Sequence, residues 1–381
     1  MFSLKFQSLF FVNFDLRRVS FKTQKQVMKK TKYHVLGVMS GTSLDGIDVA
    51  ECFFEISENQ KWNFTIGVSE TIEYPTVWKK TLQEAVHYSE EKLTDLNENY
   101  TDYLSQIISA FISKHEIKTL DAVCSHGHTI LHEPEKGVTL QIGNLPKLAS
   151  LIKETVVCDF RVQDVKLGGQ GAPLVPIGDK LLFPEYDYCL NLGGFANCSF
   201  DKNGNRIAYD ICPVNIVLNL YAEKLGQPYD EGGKMAASGE IKGRLLDQLN
   251  HLNFYNENPP KSLGLEWVQA YVFPILEASK ETPRNILRTF VEHIAIQLAR
   301  QFSEEKKVLI TGGGVYNSFL MERLQAIRNL EIVIPSTELI ENKEALIFGI
   351  LGVLKLRNEV NCLASVTGAK ENHSSGIVFN I

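Results

Sequence analysis

No apolar run in the chain approaches the ~20 residues of a membrane-spanning helix, which excludes a helical membrane protein. No two cysteines form a Cys-x-x-Cys pair. The seven thiols, at 52, 124, 158, 189, 198, 212 and 362, are scattered and odd in number, so they fit a reducing compartment and small buried hydrophobes rather than a disulfide framework. Positive charge is not in excess: the formal net charge of −6 gives no footprint for nucleic acid or an anionic membrane. Two nucleotide signatures are missing as well. No Gly-Lys-Ser/Thr follows a glycine loop, which excludes a Walker loop, and the absence of Gly-x-Gly-x-x-Gly excludes the dinucleotide fingerprint. His126, His128 and His132 have no cysteine pair nearby with which to build a zinc site.

What is present is ordinary globular content, 44% hydrophobic and 22% charged, in 381 residues, enough for two cores. Three glycine loops carry the chemistry, each directly after an apolar strand. In the first, Gly41-Thr42-Ser43-Leu44-Asp45-Gly46-Ile47-Asp48 lies between a strand over Tyr33–Val38 and another from Ile47 to Phe54, so it reads as a hairpin tip. Its glycines allow close backbone approach, its hydroxyl and N–H groups suit phosphate oxygens, and Asp45 or Asp48 can hold a hydrated magnesium ion. Gly193-Gly194 forms a second such hairpin before Phe195–Phe200. Gly312-Gly313-Gly314 opens the helical pattern from Ser318 to Ile327, a helix N-terminus suited to a nucleotide.

Elsewhere, 76–116 reads as two helices packed on the first sheet, 119–125 as a strand delivering His126, and 214–225 and 284–303 as helices of a second domain. Asp210 ends the segment Arg206–Asp210 after a turn at Asp201–Asn205. A carboxylate there can act as a general base in a cleft. Within the first 27 residues, Phe2, Phe6, Phe10, Phe11 and Phe14 stand ahead of a basic stretch from Arg17 to Lys32, the reverse of a signal peptide. They read as a poorly ordered extension or an upstream start, with Met28 a natural beginning, and a membrane-surface amphipathic segment is the minor alternative.

Two phosphate hairpins followed by an adenosine-side glycine turn resemble the acetate and sugar kinase, Hsp70 and actin superfamily. Within it, Gly37–Asp48, Ser125–Ile130, Thr139–Asn144, Asp159–Arg161, Gly168–Pro176, Asn191–Asn197, Gly312–Asn317 and Val366–Ala369 are similar to the anhydro-N-acetylmuramic acid kinase family, from about Tyr33 almost to the C-terminus. The resemblance implies an α/β, two-domain actin-like ATPase fold with a ribonuclease H-like mixed sheet in each domain and the active site in the cleft between them. It divides the chain into an extension (1–32), a first domain (33–160 plus about 358–381) and a second (161–357).

The implied reaction is hydrolytic opening of a 1,6-anhydro ring coupled to phosphorylation of O6. Asp210 takes the proton of the attacking water, and Glu344, at the start of an apolar helix, faces the sugar and that water. Gly41 to Asp48, Gly193, Gly194 and Gly312 to Gly314 hold ATP with Mg2+. His126, Thr129, Arg161 and Asn215 contact substrate, Arg161 binding a lactyl carboxylate or pairing with Asp159 or Asp164. ATP and an anhydro amino sugar are the implied partners, the cytoplasm the implied location, and a homodimer is compatible; nucleic acid and membrane are not expected. Three departures stand out: Cys212-Pro213-Val214-Asn215 lacks the family's glycines, Gly264-Leu265-Glu266 lacks its arginine, and His128 stands where glutamine is common. Asn215 still reads as a helix N-cap.

Overall fold

The apolar run before the first glycine loop is strand β1 (Lys32–Ser40), buried along most of its length as befits a central strand covered on both faces. The computed structural model describes residues 30–41 and 44–381; the extension through residue 29, Thr42 and Ser43 lie outside the described residues. β2 (Gly46–Ile56) returns antiparallel to β1, and β3 (Trp62–Glu73) pairs with β2 as a half-exposed edge. The helices Thr76–Glu84 and Glu90–Lys114 follow, as the apolar periodicity predicts. β4 (Ala122–Glu133) then lies parallel to β1, β5 (Val138–Ile142) folds back on β4, and β6 (Val156–Cys158) runs parallel to β4.

A second sheet repeats this plan. β7 (Tyr188–Leu192), β8 (Phe195–Lys202) and β9 (Asn205–Pro213) are successive antiparallel strands. The turn between β8 and β9 uses Asn203 and Gly204 at φ 52° and 81°, a pairing that matches the twist of a two-residue hairpin. β10 (Lys307–Thr311) is parallel to β7, β11 (Glu331–Val333) is parallel to β10, and β12 (Ile377–Phe379) adds to the free edge of the first sheet beside β6. Read from the third strand of each meander, the orders β3-β2-β1-β4-β6 and β9-β8-β7-β10-β11 are the same. This is the doubled ribonuclease H-like α/β architecture of the actin-like ATPases, present although the two halves share no visible sequence repeat.

Three apolar layers hold it. The two early helices cover one face of the first sheet. The helices Val175–Leu182 and Thr337–Leu356 lie on its other face, and their core also takes in Cys189 and Leu309 from the second sheet. The helix Pro283–Ala299 anchors the largest cluster, on the far side of the second sheet. All seven cysteines are free and buried, as expected of small hydrophobes.

Candidate active site

Both hairpin tips form as the glycine loops predict. At the first, Ser40 pairs with Ile47 across the tip, and Leu44, a non-glycine residue, adopts φ 60° with its N–H donating to the Gly41 carbonyl. A left-handed leucine costs about 1–2 kcal/mol, local strain of the kind that clusters at ligand-binding turns. Gly46 is required by packing, since a Cβ there would lie 2.6 Å from the Ile72 carbonyl oxygen.

At the second tip the reason for glycine is different. Gly193 and Gly194 have negative φ, and a Cβ at either would meet nothing closer than 3.5 Å. Gly313 is alike, its nearest neighbour the Asn215 side chain at 3.9 Å. Neither backbone nor packing asks for glycine at these three positions, which leaves open space for a ligand's close approach. Gly312, by contrast, needs φ 84°, and Gly314 packs on Leu192. The third loop differs from the sequence expectation: a 3-10 turn, Gly313–Tyr316, separates the glycines from the helix Ser318–Ile327, which Asn317 caps by accepting from the Leu320 N–H. The glycines therefore bend toward the second hairpin rather than opening a helix.

Asn215 is the first residue of the helix Asn215–Glu223, and Val214 holds the cap position without a side-chain bond. That corrects the N-cap expectation; Asn215 Nδ2 instead donates to the Leu192 carbonyl at the hairpin. The missing glycines cause no left-handed strain, because Val214 keeps φ −130°.

On the first sheet the charged groups converge. Arg161 donates through Nε to His126 Nε2 (2.9 Å) and through Nη1 to the Gly171 carbonyl (2.6 Å), so it pairs by hydrogen bond with neither Asp159 nor Asp164. His126 Nδ1 donates to the Gly127 carbonyl, which fixes its tautomer, and burial with Arg161 nearby keeps the ring neutral. Burial pulls Arg161 itself down to about 10, with Glu344 opposing. Thr129, further along β4, is tied to Gln141 on β5.

Glu344 faces this group. Its helix starts at Thr337 behind a Ser336 cap, so Glu344 stands in the third turn, beyond the reach of the N-terminal dipole that a place at the helix start would give it. Glu344 is exposed to solvent while protein crowds its carboxyl. Burial raises its pKa against Arg161, while Asp48 adds like charge. Asp48 is likewise raised, by burial first and then by Asp45 and Glu341, although it accepts a 2.6 Å bond from Thr71.

Asp210 lies inside β9 rather than at its end, beside a bulge. Ala196 pairs with Cys212 and Asn197 with Asp210, leaving Ile211 as an extra residue. Asp210 Oδ2 accepts the Leu263 N–H (2.8 Å), its own N–H donates to the Lys261 carbonyl, and burial lifts the carboxyl to about 6. Its electrostatic surroundings contain no group of the first sheet, so Glu344, Arg161 and Asp48 are brought together while Asp210 stands with the second sheet.

Sequence reasoning missed Lys343. One residue from Glu344 and so turned ~100° around the helix, it is buried with Nζ 2.8 Å from Asp179 Oδ1, a close ion pair off the hydrogen-bond direction, and 3.4 Å from Thr311 Oγ1. Asp179 also accepts from Ser199, which in turn accepts from Arg206. Burial alone would lower the Lys343 pKa, but Asp179 outweighs it and holds the ammonium above its ordinary range. A second omission is Ser40, which links His128 Nδ1 (2.8 Å) to Tyr74 (2.6 Å) beneath the first tip. A lysine inside an apolar helix run was the available signal for the first; nothing local signals the second.

A family model described as anhydro-N-acetylmuramic acid kinase matches residues 33–381. A protein of that name from Mannheimia succiniciproducens is 32% identical over 91% of this chain and 99% of its own. Others from Vibrio cholerae and Francisella tularensis are 32% and 33% identical, each over 90% of this chain and 97% of theirs. Among solved structures, the activator of the 2-hydroxyisocaproyl-CoA dehydratase from Clostridium difficile superposes with a TM-score of 0.41 at 14% identity, over 82% of this chain and 91% of that one.

Proposed function

The chain belongs to the anhydro-N-acetylmuramic acid kinase family and is an ATP-dependent phosphotransferase of cell-wall recycling, and from that premise we propose the part its own residues play. Water adds to the anomeric carbon of the anhydro sugar, the bond from that carbon to O6 breaks, and O6 takes the γ-phosphoryl group, giving N-acetylmuramic acid 6-phosphate and ADP. Asp210 accepts the proton of the water. The observation that carries this role is geometric: the carboxyl is held on the second sheet and aimed by the Leu263 N–H, and burial raising it to about 6 is consistent with a group ionised at neutral pH yet basic enough to take a proton. Glu344 orients the sugar and the water from the cleft floor. Arg161, whose Nη2 has no partner among the described residues, together with His126, Thr129 and Asn215 contacts the sugar and its carboxylate.

The two hairpins and Gly312–Gly314 cradle ATP, with Gly41 to Asp48 on one side and Gly193, Gly194 and Gly313 on the other. Asp48, with Asp45 and Glu341 crowding it, suits a hard divalent cation that relieves their repulsion, so Asp45 and Asp48 would hold Mg2+. When bound, that ion neutralises charge on the transferring phosphoryl group. The enzyme works in the cytoplasm; among the described residues no helix is long and apolar enough to cross a membrane. The decisive assay is ADP release, expected with the anhydro sugar and absent without it. Release with an ordinary sugar or acid instead would replace this substrate.

Because neither φ nor packing requires glycine at Gly313, Gly313→Ala should leave the unfolding midpoint in place while raising the KM for ATP about tenfold. Isothermal titration and a urea curve check the two halves of that statement. Closure is the second expectation. The two domains, 33–160 with about 358–381 and 161–357, hinge near 159–166 and at the return of the chain after about 357, and ATP spans them. Closing excludes water until sugar arrives, so the radius of gyration from solution scattering should fall when nucleotide and sugar are both added. An unchanged value at saturation would remove the hinge.

A further inference from the structure

Behind Arg161 lies a buried cluster with no part in phosphoryl transfer. Asp164, Cys362 and His373 come from two distant segments, and their ligand atoms all lie within 4.8 Å of one another. Cys362 Sγ is 3.0 Å and His373 Nε2 is 3.5 Å from Asp164 Oδ1. His373 Nδ1 donates to the Glu371 carbonyl, which leaves the Nε2 lone pair pointing into the cluster. There it has no hydrogen-bond partner among the described residues, although the residue is only 7% exposed. The Cys362 thiol donates to the Asp164 carboxylate, so the imidazole nitrogen is the group left over, and a borderline-soft divalent ion would satisfy all three at once.

We propose that Asp164, Cys362 and His373 form a structural zinc site. A tetrahedron with bonds of about 2.0–2.3 Å has edges of about 3.3–3.8 Å, so the His373–Asp164 separation of 3.5 Å already fits and the Cys362–Asp164 separation of 3.0 Å has to open by about half an ångström when the thiol proton leaves. The Thr367 hydroxyl donates to the same Asp164 oxygen (2.7 Å) and orients that ligand, and water would complete the fourth position. Binding replaces the thiol proton with the metal, so one proton leaves per ion bound.

The placement gives the site a purpose. Asp164 Oδ2 accepts the Gly171 N–H (2.7 Å), and the Gly171 carbonyl accepts from Arg161. Zinc would therefore pin the glycine-rich loop 168–171 to the C-terminal segment and fix the Arg161 guanidinium from behind. No zinc ligand touches the ligand cleft, so the ion is a clamp and takes no step in the reaction.

The test is cobalt and zinc binding to the full-length protein after chelation. One equivalent of Co2+ should give intense tetrahedral bands with a thiolate-to-metal charge-transfer absorption, and Zn2+ should displace it with release of about one proton. Cys362→Ser should abolish the charge-transfer band, and His373→Gln should weaken zinc binding about 10-fold or more. Carboxylates at the phosphate hairpin can bind Co2+ only through oxygen, so they cannot produce the thiolate band. A wild-type cobalt spectrum without that band overturns the proposal whatever the variants do, and so does a band that survives in a folded Cys362→Ser protein.

Discussion

Asp210→Asn is expected to lower turnover with the anhydro sugar by about 10²-fold or more, the scale of losing a positioned general base, while ATP affinity stays nearly as it was. Wild-type kcat/KM should rise as pH climbs through about 6, where the base ionises, and level off above. The variant should lose that rise. Stability is predicted to move the other way. Burial raises this carboxyl's pKa from 3.8 to about 6, so the folded state holds a proton that the unfolded chain releases. The group's contribution is thus greatest below pH about 4 and is lost as pH rises to about 6. Asparagine avoids that cost and should be neutral or stabilising at pH 7. Turnover within threefold of wild type would remove Asp210 from the mechanism.

Lys343→Met should cost about 3–5 kcal/mol of stability, because it leaves the Asp179 carboxylate buried without its cation. Replacing both partners, Lys343→Met with Asp179→Asn, should recover most of that loss, since a neutral side chain of nearly the same volume removes the stranded charge and still accepts from Ser199. Guanidinium unfolding of the three proteins measures it. A single variant as stable as wild type, or a double variant no better than the single, would mean that the pair carries little of the fold. The double variant also bears on catalysis: it lacks the link from Glu344's helix to Thr311 and hence to the Gly312 loop, so kcat should fall even where folding is restored.

The two halves of the site were unequally legible in the sequence. Hairpins advertise themselves locally: apolar strand, small-residue tip, second strand, and the positions of Gly41, Gly193 and Gly194 followed. The doubled sheet was legible only by resemblance, since strand order is decided by contacts far apart in the chain. Glu344 was found, but its helix begins at Thr337, a turn and more earlier than the apolar run suggests, because Ser336 and the polar first turn cap it. Asp210 was placed at a strand end because nothing in Asp210-Ile211-Cys212 announces a bulge. Lys343 and Asp164 went unread for one reason: Asp179, the partner of the first, and Cys362 and His373, the partners of the second, lie more than a hundred residues away, where spacing carries no signal.

The bulge has a consequence for what evolution can do with the loop opposite it. Surface loops ordinarily absorb insertions and deletions at little cost. The segment 257–264 lacks that freedom, because it grips Asp210 at two points, the Lys261 carbonyl taking the backbone N–H and the Leu263 N–H reaching the carboxylate. Those two groups are two residues apart and must meet one residue's main chain and side chain together. One residue more or fewer between them would break the match and turn the proposed base away, so the role proposed for Asp210 also fixes the spacing from Lys261 to Leu263.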